Sequence, residues 1–254
     1  MTSLTGLHAV VTGGGTGIGA EIARTLAEQG AHLTLIGRRR DKLEEVARTI
    51  SGACVAPADV SIRAEIDAAF ATARAAHGPI AILVNNAGIA ASAPFARVTV
   101  EGWRETMAVN LDALFHCCQA ALPDLKQAAA GRIVTIASTA GLRGYAYTAP
   151  YVAAKHGAIG LTRALALELA KTGITVNAVC PGFTDTAIVA EAVDKITGTT
   201  GRSAEEAMAE LTRFNPQGRL VQPREVADTV LWLCQPGSGS ITGQAISVSG
   251  GETA

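Results

Sequence analysis

The feature that most constrains this chain is a rhythm: short, β-branched apolar runs alternate from end to end with longer Ala-, Leu- and Glu-rich stretches of helical period. Strands that are apolar on both faces need cover on both sides, so such a rhythm predicts a parallel sheet sandwiched between helices. About seven strands are expected, at 7–12, 31–37, 53–57, 80–85, 131–137, 174–180 and 244–248. Helices are expected near 17–29, 40–50, 61–76, 101–128, 149–171 and 223–235. In the last long one before the C-terminal third, Thr148 is placed to cap the start, Pro150 sacrifices no needed donor, and Gly173 suits the left-handed turn that ends it. The predicted class is α/β, a single Rossmann-type doubly wound parallel sheet with helices on both faces.

One interval breaks the rhythm. Between 183 and 218 the sequence places two short helical stretches where other strand-to-helix connections take only a few residues, so a lid or binding loop is expected there. At 254 residues and 48% apolar content, one core suffices, and 1–254 reads as a single domain. The 21 basic residues against 22 acidic ones offer no general field for nucleic acid or anionic lipid, so neither is an expected partner. With no run of eighteen apolar residues and no basic, apolar leader, a cytoplasmic protein away from membranes is expected. Cys54, Cys117, Cys118, Cys180 and Cys234 show no CxxC spacing and read as buried, reduced thiols. His8, His32, His77, His116 and His156 are scattered, and no metal is predicted.

Thr12-Gly-Gly-Gly-Thr-Gly-Ile-Gly19 falls between the first strand and the first helix. There Gly13, Gly15, Thr16, Gly17, Ile18 and Gly19 can bring backbone N–H groups to a pyrophosphate at the positive end of the helix. A plain tight turn does not account for glycines at 13, 17 and 19 opening a helix. The second strand ends in Gly37-Arg38-Arg39-Arg40 rather than in the acidic residue that usually meets the ribose hydroxyls of NAD. A guanidinium can pair with a ribose 2′-phosphate, so NADP(H) is favoured over NAD(H), through Arg38 first and Arg39 second. Arg40 reads as an ordinary basic residue before the next helix. Asp59-Val60 and Asn85-Asn86-Ala87-Gly88 follow the third and fourth strands, at the sheet edge where open α/β sheets bind ligands.

Tyr151 and Lys155 lie four residues apart, on one face of the helix at 149–171. A nearby ammonium can lower a phenol's pKa, which would tune Tyr151 as proton donor to a carbonyl or acceptor from an alcohol. Ser138 closes the fifth strand and can donate to the same oxygen, while the Asn110 amide could hold a water that relays protons to Lys155. Tyr145 and Tyr147 lack a lysine four residues on.

Taken together, the Thr-Gly-x-x-x-Gly-x-Gly turn, Asn-Asn-Ala-Gly and Tyr-x-x-x-Lys resemble the short-chain dehydrogenase/reductase family, over essentially the whole chain. That resemblance extends to Pro181-Gly182 with Thr184 and Thr186 and to the ending Ile241-Thr-Gly-Gln-Ala-Ile-Ser-Val-Ser-Gly-Gly251. It implies a dinucleotide-binding and catalytic domain with Asn110, Ser138, Tyr151 and Lys155 as the catalytic tetrad. It also implies that Asn86, Ala87 and Gly88 line the adenosine, that Lys155 holds the ribose, and that the protein forms a homotetramer through its long helices and last strand. The apolar face Ile159, Leu161, Leu165, Leu167 and Leu169 is compatible with such an interface and equally with packing on the sheet.

Substrate-facing positions are expected at Ile89, Ala90, Ala91, Leu142, Tyr145, Phe183 and from Ile188 to Leu220, small and apolar types that suit a moderately hydrophobic carbonyl. The stretches 149–157 and 172–183 resemble ketoreductases of 3-oxoacyl thioesters and aromatic polyketides, which implies a β-ketoacyl substrate, including thioester-linked ones. An NADP-dependent secondary alcohol or hydroxysteroid-like dehydrogenase is the alternative enzyme. A non-catalytic NADP-binding module is a third reading, disfavoured because such proteins usually lose a tetrad member.

Overall fold

The computed structural model describes residues 4–254. Its single sheet holds seven parallel strands: β1 (His8–Thr12), β2 (His32–Gly37), β3 (Cys54–Pro57), β4 (Ile82–Asn85), β5 (Arg132–Ile136), β6 (Thr175–Pro181) and β7 (Ala245–Val248), in the order β3-β2-β1-β4-β5-β6-β7. The chain winds from β1 to one edge, returns to β4 and winds to the other. The order therefore reverses between β1 and β4, and a crevice opens beyond their carboxyl ends. Val10 sits at the centre, opposite Thr34 on one side and Leu83 on the other.

Every residue of β1 and of β6 is buried, as expected of strands covered on both faces. On one face, α1 (Gly17–Glu28) and α9 (Pro223–Cys234) bring Ile22, Leu26, Val226 and Val230 against Val11 and Val84, joined by Leu43 and Val46 of α2 (Arg40–Ala47). On the other, Phe70 of α3 (Arg63–His77) and Leu114 of α5 (Ala113–Leu125) meet Leu83 and Ile133. α4 (Val100–Met107) opens on Thr99, whose hydroxyl accepts from the Gly102 N–H at 3.0 Å. Each fully buried large side chain, such as Phe70, contributes roughly 2 kcal/mol through removal from water.

α6 (Ala149–Leu169) carries Tyr151 and Lys155 and ends through Gly173, whose φ of 77° is left-handed as predicted. Its start departs from expectation. Thr148 makes no side-chain cap bond; its hydroxyl donates to the Tyr145 carbonyl at 3.2 Å, because Tyr147 before it has φ 67° and turns the backbone away from cap geometry. Along α6, Ile159 and Leu169 are buried, Leu161 and Leu165 are half-buried against the core, and Leu167 is 83% exposed. Packing on the sheet thus accounts for most of that apolar face.

The predicted helix 101–128 is two helices joined by a π-turn over Ala108–Asp112, with Asn110 at its centre. The 183–218 interval contains α7 (Ala187–Thr200) and α8 (Ala204–Thr212), the latter opened by a reciprocal capping box between Ser203 and Glu206. Val189, Val193, Ala207 and Leu211 form a small core of their own, separate from those that pack on the sheet. The Ile188 side chain lies outside the described residues. Of the five free cysteines four are buried; Cys54 is half-buried, which corrects the expectation for that residue, because β3 is an edge strand. Among the described residues no group of His, Cys, Asp or Glu is arranged to hold a metal ion, and no helix is long and apolar enough to cross a membrane.

Candidate active site

The turn after β1 is held from the neighbouring strand. Thr12 Oγ1 accepts from the N–H groups of Asn86 at 3.0 Å and Ala87 at 3.1 Å, while Asn86 Nδ2 donates to the carbonyls of Thr12 at 3.0 Å and Gly13 at 3.2 Å. Gly13 and Gly17 adopt φ of 65° and 53°, accessible to glycine at little cost. At Gly19 a Cβ would fall 2.3 Å from the Gly13 carbonyl oxygen. Thr16 caps α1 without a side-chain bond, and the first turn carries no acidic residue. Its leading N–H groups are therefore available to an external anion. Gly15 lies instead against the first turn of α2, where a Cβ would be 3.2 Å from Leu43 N. Ile18 packs into the core beneath the turn.

Around this cradle the other nucleotide candidates converge. Arg38 is exposed beyond β2, with its guanidinium 3.9 Å from Asp59, and Arg39 reaches back to Thr16 Oγ1 at 3.5 Å. Burial raises the Asp59 carboxyl, but bonds from the Ser61 hydroxyl and N–H, with the Arg38 charge, outweigh it and hold the group below its ordinary value. Beyond β6, Thr184 bonds the Gly182 carbonyl at 3.0 Å and Thr186 bonds that of Thr184 at 3.2 Å. The Thr186 methyl lies 3.2 Å from the point where a Cβ on Gly17 would sit, so the strand-six turn closes over the phosphate turn. A dinucleotide fits these residues: glycines without room for a Cβ, a helix start with free N–H groups, and guanidinium groups beyond β2.

At the adjoining ends of β5 and α6, the Tyr151 hydroxyl lies beside the Ser138 side chain, close enough for Ser138 to lower the phenol's pKa. Ser138 Oγ also accepts from the Ala140 N–H at 3.1 Å, which fixes its rotamer at the start of a short 3₁₀ turn. Lys155 is buried, donates to the Ile136 carbonyl at 2.8 Å, and places Nζ 5.6 Å from the Tyr151 ring centre. Burial lowers its pKa to about 8, against a small opposing contribution from Cys180. The Tyr151 phenol differs from expectation. Burial pushes it up, the neighbouring Ser138 side chain offsets this in part, and Cys180 adds to the rise, while Lys155 Nζ donates to the Ile136 carbonyl. Tyr151 is accordingly a neutral hydrogen donor at rest.

Asn110 is buried in the π-turn. Its Nδ2 donates to the carbonyls of Ile89 and Thr106, both at 3.0 Å, and its Oδ1 accepts from Ile89 N–H at 3.3 Å. Both amide donors are thus committed to the loop after β4, and the Oδ1 presses on Gly88, where a Cβ would be 2.8 Å away. Between Asn110 and Lys155 lies a cavity of about 10 Å³, lined also by Thr12, Val60, Asn85, Ala87 and Thr135. It is of the size of one water molecule, and its wall is mixed, with Thr12, Asn85, Asn110, Thr135 and Lys155 facing an apolar side that includes Val109, Leu114 and Ile136. Asn85 Oδ1, buried and without a partner among the described residues, belongs to a residue of that lining. Asn85 was legible only as part of a turn motif.

Two of the substrate-facing candidates are tied to this site: Ile89 bonds Asn110, and the Tyr145 hydroxyl lies 2.8 Å from Oγ1 of Thr139, next to Ser138. Tyr145 and Phe183 meet with ring centres 6.5 Å apart, joined by Phe214, which the sequence did not single out. Glu252 was missed as well; its signal was an acidic residue directly after the Gly250-Gly251 turn.

Comparison with known proteins agrees with this geometry. The family described as short chain dehydrogenase matches residues 7–197. A protein of Streptomyces coelicolor whose name proposes a ketoacyl reductase is 41% identical, the match covering 96% of this chain and 95% of the relative. A D-beta-hydroxybutyrate dehydrogenase of Rhizobium meliloti is 38% identical, covering 97% and 98%. A crystal structure of a tryptophan variant of actinorhodin polyketide ketoreductase with NADPH superposes with a TM-score of 0.93 at 39% identity, covering 97% of each chain.

Proposed function

This chain belongs to the short chain dehydrogenase family and is an NAD(P)-dependent oxidoreductase of CH–OH groups; from that premise we propose that it reduces 3-oxoacyl groups, as β-ketoacyl thioesters or polyketide-like ketones, with NADPH. The observation that carries the reading is the convergence of the Tyr151 phenol, the Ser138 side chain and buried Lys155, whose Nζ lies 5.6 Å from the Tyr151 ring centre. The reduced nicotinamide supplies the hydride. Tyr151, kept protonated by burial, gives its proton to the carbonyl oxygen, and Ser138 donates a second hydrogen bond that stabilises the developing alkoxide. Lys155 holds the ribose hydroxyls and returns a proton toward Tyr151. Its proton would come from a water in the cavity it shares with Asn110, a water that donates to the Asn110 backbone carbonyl or Oδ1, since both amide N–H donors are occupied.

The glycine turn, Asp59, Val60, Asn86, Ala87, Gly88, Pro181, Gly182, Thr184 and Thr186 bind the dinucleotide in this account. Arg38, with Arg39 behind it, favours the 2′-phosphate of NADP(H). The apolar border of Ile89, Leu142, Tyr145 and Phe183 supports a hydrophobic ketone, and two relatives named as ketoreductases support the 3-oxoacyl class. We further propose a cytoplasmic homotetramer in which exposed Leu167 and Phe115 are covered by neighbouring copies. Light scattering at the tetramer mass is expected; a monomer contradicts it. The substrate test is NADPH consumption by purified protein with acetoacetyl thioester, set against simple cyclic ketones. Faster turnover of the thioester is expected, and no turnover of any β-ketoacyl thioester would defeat the assignment.

A further inference from the structure

Beyond the tetrad, the C-terminal tail drives a carboxylate into the substrate end of the sheet. Glu252 is 7% exposed, and its Oε1 accepts from the Tyr145 hydroxyl. The same hydroxyl lies 2.8 Å from Thr139 Oγ1, the residue after Ser138. Glu252 Oε2 is buried without a hydrogen-bond partner among the described residues, 2.8 Å from where a Cβ on Gly182 would sit. Arg143 Nη1 donates to the Glu252 backbone carbonyl at 3.1 Å, so both ends of this residue are tied to the loop between β5 and α6.

Burial, then the bond and charge of Glu252, push the Tyr145 phenol well above its ordinary pKa. Its hydroxyl is thus a committed donor, which leaves the ring as its apolar contact surface. That ring packs edge-on against Phe214, centres 5.8 Å apart, and against Phe183; Phe183 and Phe214 stack at 6.3 Å. These two phenylalanines stand at the entry and exit of the α7–α8 segment. The tail grips that exit a second time, since a Cβ on Gly250 would fall 2.0 Å from Asn215 Oδ1 and one on Gly251 3.3 Å from Pro216.

We propose that Glu252 is a positioning residue: by holding the Tyr145 hydroxyl it fixes an aromatic wall of Tyr145, Phe183 and Phe214 at the base of the α7–α8 lid, and thereby selects bulky planar ketones over small ones. The specificity half rests on the ketone-reduction reading above. A wall already fixed loses no side-chain freedom when a flat substrate stacks on it, so its effect falls on KM rather than on kcat.

The experiment compares the full-length protein with Glu252→Ala, Glu252→Gln, Tyr145→Phe and the Ala/Phe double variant, using 1-tetralone and ethyl acetoacetate. Glu252→Ala is expected to raise the KM for tetralone about tenfold, the equivalent of one hydrogen bond to a charged group, with a much smaller change in kcat and in the KM for ethyl acetoacetate. Glu252→Gln keeps an acceptor and is expected to restore most of the wild-type KM. Tyr145→Phe is expected to reproduce the loss, and the double variant to add little to either single change. Tryptic cleavage after Arg202 and Arg213 of the lid, measured on the same proteins, is expected to be faster in Glu252→Ala and in Tyr145→Phe. Equal loss on both ketones, or a Gln variant as impaired as Ala, overturns the selective role. If the wild type reduces neither these ketones nor acetoacetyl thioester, the function reading fails, while cleavage rates unchanged by Glu252→Ala overturn the latch on their own. Should the Ala variant not fold, Tyr145→Phe decides in its place: a raised KM for tetralone with faster cleavage supports the latch, and wild-type values of both overturn it.

Discussion

Replacing Gly19 by Ala sets two effects against each other. Alanine is the better helix former, worth up to about 1 kcal/mol within a helix. Opposing this, the added Cβ would lie 2.3 Å from the Gly13 carbonyl oxygen and 2.4 Å from Asn86 Nδ2. Carbon normally keeps at least about 3.3 Å from a carbonyl oxygen, so one backbone segment must retreat by roughly 1 Å. Gly13 has little freedom to yield, because its carbonyl is bonded by Asn86, which also bonds Thr12 at the end of β1. Overpacking of this kind costs about 1–3 kcal/mol, and weakening the two Asn86 bonds adds roughly 1 kcal/mol each. The steric side wins, for a net loss of about 2–4 kcal/mol, or roughly 5–15 °C in Tm for a chain of this size. Displacing the turn also misaims N–H groups that meet a charged phosphate, which predicts a rise in Kd for NADPH of about 10- to 100-fold. Urea unfolding and a fluorescence titration with NADPH measure both quantities. An Ala variant as stable as wild type with unchanged NADPH affinity would refute the reasoning.

Two further outcomes follow from the geometry. Arg38→Ala is expected to raise the KM for NADPH by about tenfold or more while moving that for NADH little, because only the former carries a 2′-phosphate; equal effects on both would remove Arg38 from cofactor selection. At the opposite end of the sheet, burial lowers the pKa of His8 to about 4 even though its bond to the Gly78 carbonyl opposes the shift; neighbouring His77 lowers it further. Between pH 6.5 and about 4 the unfolded chain takes up a proton that folded His8 refuses, so the stability this residue contributes is full above 6.5, falls with pH through that window, and is level below it. The loss amounts to about 3 kcal/mol relative to His8→Gln, measurable as the difference in their unfolding free energies across the window. Parallel pH profiles for the two proteins would contradict it.

The inner strands of the sheet were legible because they are buried on both faces and so read as unbroken apolar runs, β1 and β6 most clearly. The phosphate turn and the Tyr151–Lys155 face were legible because local spacing alone sets them. Features determined by distant partners were not. The π-turn at Asn110 lies in an apolar helical stretch whose period looks continuous, and it is pinned by bonds to Ile89, 21 residues earlier. Glu252 acquires its meaning only from Tyr145, 107 residues away. The bond from Lys155 to the Ile136 carbonyl likewise depends on how α6 docks against β5, and burial raises the phenol of Tyr151 where the Lys155 spacing predicted a fall.

The central claim is that Tyr151 delivers the proton in NADPH-dependent ketone reduction. The direct measurement is NADPH oxidation by Tyr151→Phe on any ketone the wild type reduces, together with NADPH binding by the same variant. Loss of turnover by about 10²-fold or more, with binding retained, is the predicted result. Turnover equal to wild type would contradict it.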